Sequence, residues 1–145
     1  MDHSEHIRKH LDRLYARNPF VLLLGMEIVA ISHGMVEITM PVDAERHANS
    51  HNMLHGGAVA SLADTAMGVA CATYGNRVVT VDLNINYIRN ACVGDLVRGI
   101  GRVVHCGRNT MVVDGEMLGR DGRLIAKSRA TFMNVGRIEG FELED

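Results

Sequence analysis

Tryptophan is absent from this 145-residue sequence, and aromatic residues make up only 4% of it. That lends little support to a ligand site built on stacked rings. No block of like charge occurs, and a formal net charge of −2 favours neither a nucleic-acid surface nor an anionic membrane. A polyanionic ligand must therefore meet a local basic cluster. Long apolar runs are missing too: residues 21–31 and 58–74 are the best candidates, and Glu27 and Asp64 interrupt them. No segment reads as a membrane span. The three cysteines are an odd count without a C-x-x-C pair, so Cys71, Cys92 and Cys106 fit a reducing cytoplasm. No apolar stretch follows Met1-Asp2-His3-Ser4-Glu5-His6, and no signal peptide is expected. The length fits one domain with a sizeable core.

What the chain does contain is regular patterning. Ile7, Leu11, Leu14 and Tyr15 keep helical spacing as far as Asn18-Pro19, because a residue before proline avoids the helical region. A surface helix near residues 4–17 is expected, with Phe20 to Leu24 as a further helical turn. Residues 26–32 and 35–40 read as strands joined at His33-Gly34, a hairpin. A polar loop, 43–54, leads to His55-Gly56-Gly57 and an apolar helix that ends near Gly75-Asn76. Four strand-like runs follow, 78–88, 95–105, 110–118 and 124–134, separated by short glycine-bearing turns that make neighbours antiparallel. The expected fold is α+β, a curved antiparallel sheet of about six strands wrapped around a central helix. It forms a single domain with its core over 18–135, and 136–145 reads as a loose acidic tail.

In the run 78–88, Val79, Val81, Leu83, Ile85 and Tyr87 alternate with Thr80, Asp82, Asn84 and Asn86. One strand face is expected to be apolar and the other polar. The polar face is either solvated or the wall of an interface or ligand site, and alternation does not separate these. The central helix says more. From Ala58 to Tyr74 its only charge is Asp64, set among Val59, Leu62, Ala63, Ala66, Met67 and Val69, so it is expected to be buried almost all round. A lone carboxylate there is costly unless paired or used. Gly56 and Gly57 open the same helix, where unpaired N–H groups at the positive end of the dipole suit a developing negative charge. The pattern predicts an oxyanion site beside a working carboxylate.

His47-Ala48-Asn49, His55-Gly56-Gly57, Asp64 nine residues on and the strand Thr80-Val81-Asp82-Leu83-Asn84-Ile85-Asn86-Tyr87 together resemble the hotdog-fold thioesterases, most of all the phenylacetate-degradation type of acyl-CoA thioesterase. The resemblance implies hydrolysis of an acyl-CoA or aryl-acyl-CoA thioester by a homodimer, often paired into a tetramer, with active sites between subunits. It implies Asp64 as the catalytic carboxylate, Gly56 as the N–H polarising the carbonyl, Asn49 and Thr80 as water-positioning groups, and His55 beside the carbonyl. Asp64 and Thr80 would come from one subunit, and Asn49, His55 and Gly56 from the other. No cofactor is implied, since coenzyme A is part of the substrate. Its phosphates need cations, for which Arg89-Asn90, after the long strand, and Gly107-Arg108, in a turn, are the candidates.

The chemistry holds together without the family. A thiol leaving group ionises at about pH 8.5 and needs little help from a general acid. One carboxylate then suffices, as base or as nucleophile, with each oxyanion donor contributing roughly 3 to 4 kcal/mol. Ala60, Ala63, Thr65 and Gly68 are small residues near Asp64 that leave room for an acyl group.

Other readings are weaker on the residues. His47, His51 and His55 recur every four positions, which on a helix would align zinc ligands; their segment reads as loop, no H-E-x-x-H occurs, and no metal is expected. His3, His6 and His10 read as solvated. Gly99-Ile100-Gly101 lacks the third glycine of a dinucleotide loop and opens no helix, and no G-x-S-x-G marks a serine hydrolase. Asp64 can also be a core carboxylate bonded to a neighbouring backbone group or hydroxyl. In function, the alternative is a non-catalytic hotdog module that binds an acyl-CoA-like ligand; a hotdog hydratase is disfavoured because its His and acidic-residue pattern is missing.

Overall fold

The computed structural model describes residues 3–141. The chain opens with α1 (His3–Tyr15) and a short α2 (Pro19–Leu23). Ile7 and Leu11, one turn apart, are fully buried where α1 packs on β1 (Glu27–Ser32). The Asn18 side chain caps α2 by accepting from the Phe20 and Val21 N–H groups, with Pro19 at the start of the helix, where its missing N–H costs nothing. Then come β2 (Met35–Pro41), α3 (Gly56–Ala72), β3 (Asn76–Tyr87), β4 (Leu96–Cys106), β5 (Thr110–Leu118) and β6 (Leu124–Arg137). The six strands form one antiparallel sheet in the order β1-β2-β4-β5-β6-β3, and α3 packs against β2, β3, β4, β5 and β6. This is the expected α+β architecture.

Glycines in the sheet let α3 settle onto it. Gly101 of β4 pairs with Gly115 of β5. A methyl group at Gly101 would lie 2.6 Å from the Ala66 carbonyl oxygen of α3, and one at Gly99 would lie 2.9 Å from Leu62. Backbone approach at that range is open only to glycine, so Gly99-Ile100-Gly101 is a helix seat. Leu62, Ala63, Ala66, Met67 and Ala70 of α3 are each at most 1% exposed. Burial of Leu62 and Met67 contributes roughly 1.5 to 3 kcal/mol apiece. At the helix end, Thr73 Oγ1 donates to the Ala70 carbonyl at 2.7 Å and accepts from the Gly34 N–H at 2.8 Å, tying α3 to the β1–β2 turn.

Two expectations need correction. The C-terminal segment is not loose over 136–141: β6 runs to Arg137, and Ile138 and Phe141 are buried. Phe141 meets the His10 ring edge-on at 5.5 Å, so His10 is half-buried and packed, whereas His6 is exposed. Two apolar side chains outweigh the acidic composition around them. The remainder of the expected tail, 142–145, lies outside the described residues, as does the His3 side chain. The strict alternation expected in β3 is also broken. The register slips between Thr80 and Asp82, which makes Val81 the extra residue of a β-bulge. Before it, Val78 and Thr80 face α3; after it, Leu83 and Ile85 pack on the core. Val79 and Val81 are 50% and 57% exposed.

Candidate active site

One stripe of α3 escapes burial. Gly57, Ser61, Asp64, Thr65 and Gly68 stay partly open on a helix expected to be buried almost all round. Ser61 and Thr65 turn their hydroxyls back onto the carbonyls of Gly57 and Ser61, at 2.8 and 2.7 Å, satisfying themselves within the helix. Asp64 instead looks outward. It is half-buried, and its Oδ1 accepts from Thr80 Oγ1 at 2.7 Å, while Oδ2 has no partner among the described residues. The bulge at Val81 makes this contact possible, because in an unbroken alternation with Leu83 and Ile85, Thr80 would face away from α3.

Asp64 and Thr80 open onto a cavity of about 370 Å³. Leu14, Tyr15, Phe20 and Val21 supply one wall from α1 and α2; Val69 and Phe132 supply others. Burial pushes the Tyr15 phenol up to about 12, so it lines the cavity as a neutral group. Of the small residues near Asp64, Thr65 and Gly68 border the cavity, whereas Ala63 is buried in the core.

The start of α3 is a separate place. His55 caps it, its Nδ1 accepting from the Gly57 N–H at 2.8 Å, which leaves the proton of the neutral ring on Nε2. The Ala58 and Val59 N–H groups bond to the His55 carbonyl, at 2.9 and 3.2 Å. Gly56 alone in this first turn keeps an N–H without a partner among the described residues. Sequence reasoning missed the residue that holds it there. Tyr87 Oη donates to the Gly56 carbonyl at 2.7 Å, and its ring covers Gly56 so closely that an added methyl would sit 3.4 Å from it. Positions 56 and 87 are linked only through the packing of β3 on α3, for which local sequence carries no signal.

Asn49 organises the preceding loop: its Oδ1 accepts from the N–H groups of His51 and Met53, at 2.9 and 3.1 Å, leaving Nδ2 without a partner among the described residues. His47 is buried, with Nδ1 accepting from the Asp43 N–H at 2.9 Å and Nε2 donating to the Leu24 carbonyl at 2.7 Å. Both ring nitrogens are thus occupied, and among the described residues no group of three His, Cys, Asp or Glu side chains is placed to hold a metal. Within one chain, Asn49, His55 and Gly56 are not on the wall of the Asp64 cavity. Nor do the candidate phosphate ligands gather. Arg89, exposed, reaches the Leu124 carbonyl at 3.4 Å, and Asn90 lies against Met53. The Gly107 and Arg108 carbonyls accept from Asn134 Nδ2 at 3.1 and 3.0 Å. Tyr87 pairs with Ala126, while Val79 pairs with Met133, the partner of Thr110, so the two arginines stand at opposite ends of the sheet.

An antiparallel sheet around a central helix is the hotdog fold, and here the helix carries an open carboxylate at its middle and, among the described residues, an N–H without a partner at its start. Known proteins agree. The Thioesterase superfamily matches residues 51–126. The acyl-coenzyme A thioesterase PaaI of Escherichia coli K12 is 31% identical over 123 residues, covering 85% of this chain and 87% of that protein. The solved E. coli PaaI structure superposes with a TM-score of 0.89 at 28% identity, over 94% of this chain and 99% of that one. A Streptococcus mutans protein solved bound to acetyl-CoA gives a TM-score of 0.75 at 30% identity, over 79% and 91% of the two chains. This chain belongs to the thioesterase superfamily, in its PaaI-like hotdog branch.

Proposed function

We propose that this protein hydrolyses acyl-CoA or aryl-acyl-CoA thioesters to the free acid and coenzyme A, at sites shared between two copies of the chain. The observation that carries the reading is Asp64, with one carboxylate oxygen held by Thr80 and the other open at an acyl-sized cavity. Oδ2 takes a proton from water as the water oxygen bonds to the thioester carbon. The carbonyl electron pair moves onto oxygen, where the Gly56 N–H stabilises it by roughly 3 to 4 kcal/mol. Collapse breaks the carbon–sulfur bond, and the departing thiolate takes up the proton. Direct attack by Oδ2, giving an anhydride that water then opens at the Asp64 carboxyl carbon, uses the same groups; single-turnover hydrolysis in ¹⁸O-water, with a search for label in Asp64, distinguishes the two. Coenzyme A is substrate here, and no cofactor is invoked.

Two copies are needed because Asp64 lies eight residues beyond Gly56, about 12 Å along a helix rising 1.5 Å per residue. Reacting atoms must come within about 3.5 Å. The sheet edge supports the pairing: β3 spans 12 residues with no neighbour beyond it among the described residues, and an exposed edge strand is a template for a second strand. Asp64 and Thr80 then come from one copy and Asn49, His55 and Gly56 from its partner. Such dimers pair further into a tetramer in this reading. Arg89, Asn90, Gly107 and Arg108 reach the substrate phosphates only where both copies contribute. The three free cysteines support a cytoplasmic location, and no helix among the described residues is long and apolar enough to cross a membrane.

The test is thiol release from short, long and aryl acyl-CoAs by wild type and Asp64→Asn, with sedimentation run alongside. The expected result is turnover by an oligomer, reduced at least about 100-fold in the variant with assembly intact. Binding of every thioester without turnover would favour the non-catalytic module, and a monomer at micromolar concentration would refute the shared site.

A further inference from the structure

The Asp64 cavity does not end in apolar wall. Arg77 lines it and also lines an adjoining cavity of about 560 Å³, and the two share Leu14 and Ile138 as well. The second cavity gathers Arg13, Arg77, Arg137 and His10 around one acid, Glu139. Arg8, Arg46, Arg98, Arg123 and Arg129 each pair with a carboxylate. The Arg13 and Arg77 side chains, like those of Arg17, Arg102, Arg108 and Arg120, have neither an ion pair nor a hydrogen bond among the described residues. Arg137 is oriented by neutral acceptors alone, the Tyr74 carbonyl at 2.8 Å and Asn76 Oδ1 at 2.7 Å, so its charge is uncompensated. Among the described residues, three guanidiniums to one carboxylate make a local positive excess in a chain of net charge −2, and a cleft lined by one sign of charge concentrates the opposite ion.

We propose that this basic end is a carboxylate subsite, and that the favoured substrates are thioesters of dicarboxylic acids whose free carboxylate is bound by Arg77. The proposal rests on the thioesterase reading above and names its substrate class. Arg77 precedes Thr80 by three residues, about 10 Å along a strand, and lines the same cavity across a second register break, between Arg77 and Val78; a mid-length acyl group with its carbonyl at Asp64 then brings its far end to Arg77. Leu14, Val78 and Phe132 line the same cavity, with Asn18 and Asn76 as neutral polar groups. An acyl chain suits the apolar side chains of this wall. The anion at its end is therefore on the acyl side, and a guanidinium can hold a carboxylate by two parallel hydrogen bonds.

Octanoyl-CoA and the mono-CoA thioester of octanedioic acid differ only at the terminal group, and kcat/KM for the pair reads the subsite. Wild type is expected to favour the dioic thioester at least about tenfold, equivalent to about 1.4 kcal/mol, with the preference shrinking as salt rises. Arg77→Gln should bring the ratio close to one, while Arg120→Gln, in the exposed β5–β6 turn, should leave it unchanged. No preference in wild type, or a preference that survives Arg77→Gln, overturns the subsite. An equal rise of KM on both substrates in Arg77→Gln overturns it too, by assigning Arg77 to coenzyme A. If neither thioester is turned over, calorimetry with the free acids decides the subsite separately. Octanedioate binding that Arg77→Gln abolishes supports it, and failure of octanedioate to bind overturns it.

Discussion

Thr80→Val removes one hydroxyl and keeps the branched shape. In the wild-type structure that hydroxyl donates to Asp64 Oδ1 at 2.7 Å, and nothing else among the described residues bonds the carboxylate. A hydrogen bond to a charged acceptor contributes about 1.5 to 3 kcal/mol. If it fixes the direction of Oδ2 towards water or the thioester carbon, its loss falls on the chemical step. At 1.36 kcal/mol per tenfold, the expected fall in kcat is about 10- to 150-fold, with KM little changed because the hydroxyl spends itself on Asp64 and not on the substrate. The assay is single-turnover thiol release by Thr80→Val, Thr80→Ser and each change in an Asp64→Asn background. Serine keeps the donor and should recover most of the rate, which a merely steric role for Thr80 would not predict. In the Asp64→Asn background the valine change should cost little further, since residues that act as a unit are not additive. A Thr80→Val enzyme within twofold of wild type, or an equal loss with and without the carboxylate, would refute the coupling.

Two further predictions concern the frame that carries the site. Gly101→Ala should destabilise by about 1 to 3 kcal/mol in denaturant titrations, because its methyl would stand 2.6 Å from the Ala66 carbonyl oxygen and α3 must retreat. The same change at Gly68, where the methyl meets Phe132 at an ordinary 3.6 Å, should stabilise by about 0.5 to 1 kcal/mol as helix-interior alanine does; equal effects at the two sites would refute the helix-seat argument. Burial pushes the Cys71 thiol from 9.0 to about 12, so at pH 8 its thiolate fraction is about a thousandfold below the ordinary one. Thiol titration should find Cys92 and Cys106 quickly, as both are exposed, and Cys71 only after unfolding; three fast thiols in the native protein would contradict the packing of α3.

Much of the frame was legible before the structure. The strands showed themselves because half-buried positions alternate and short glycine-bearing turns force antiparallel neighbours. Asp64 showed itself because a single charge in an apolar helix calls for an explanation. What was hidden depends on contacts between distant segments. Gly99 and Gly101 make a seat only when α3 lies over them. Ile138 and Phe141 are buried although the residues around them are acidic and polar, since burial follows the shape of the available surface and not average composition. Arg13, Arg77 and Arg137 look like scattered surface charges along the chain, yet line one cavity. Arg89 and Arg108, the two candidate cations for the coenzyme A phosphates, stand at opposite ends of the sheet.

The bulge in β3 shows why a correct strand assignment still gave the wrong faces. β3 must send Leu83 and Ile85 to the core, send Thr80 to Asp64 and leave Val79 and Val81 outside. A strand of period two cannot do all three, because positions 80 and 83 differ in parity. One extra residue at Val81 changes the parity between them and lets both ends of the strand face the helix. An edge strand accommodates such an insertion readily, since within one chain only the pairing with β6 has to adjust. The insertion is invisible in the alternation itself: Val79, Val81, Leu83 and Ile85 look like one face, and only the register against Thr131 and Phe132 divides them. The same residue that breaks the pattern therefore turns a threonine from an outward polar face onto the carboxylate, so the departure from regularity and the building of the site are one structural event.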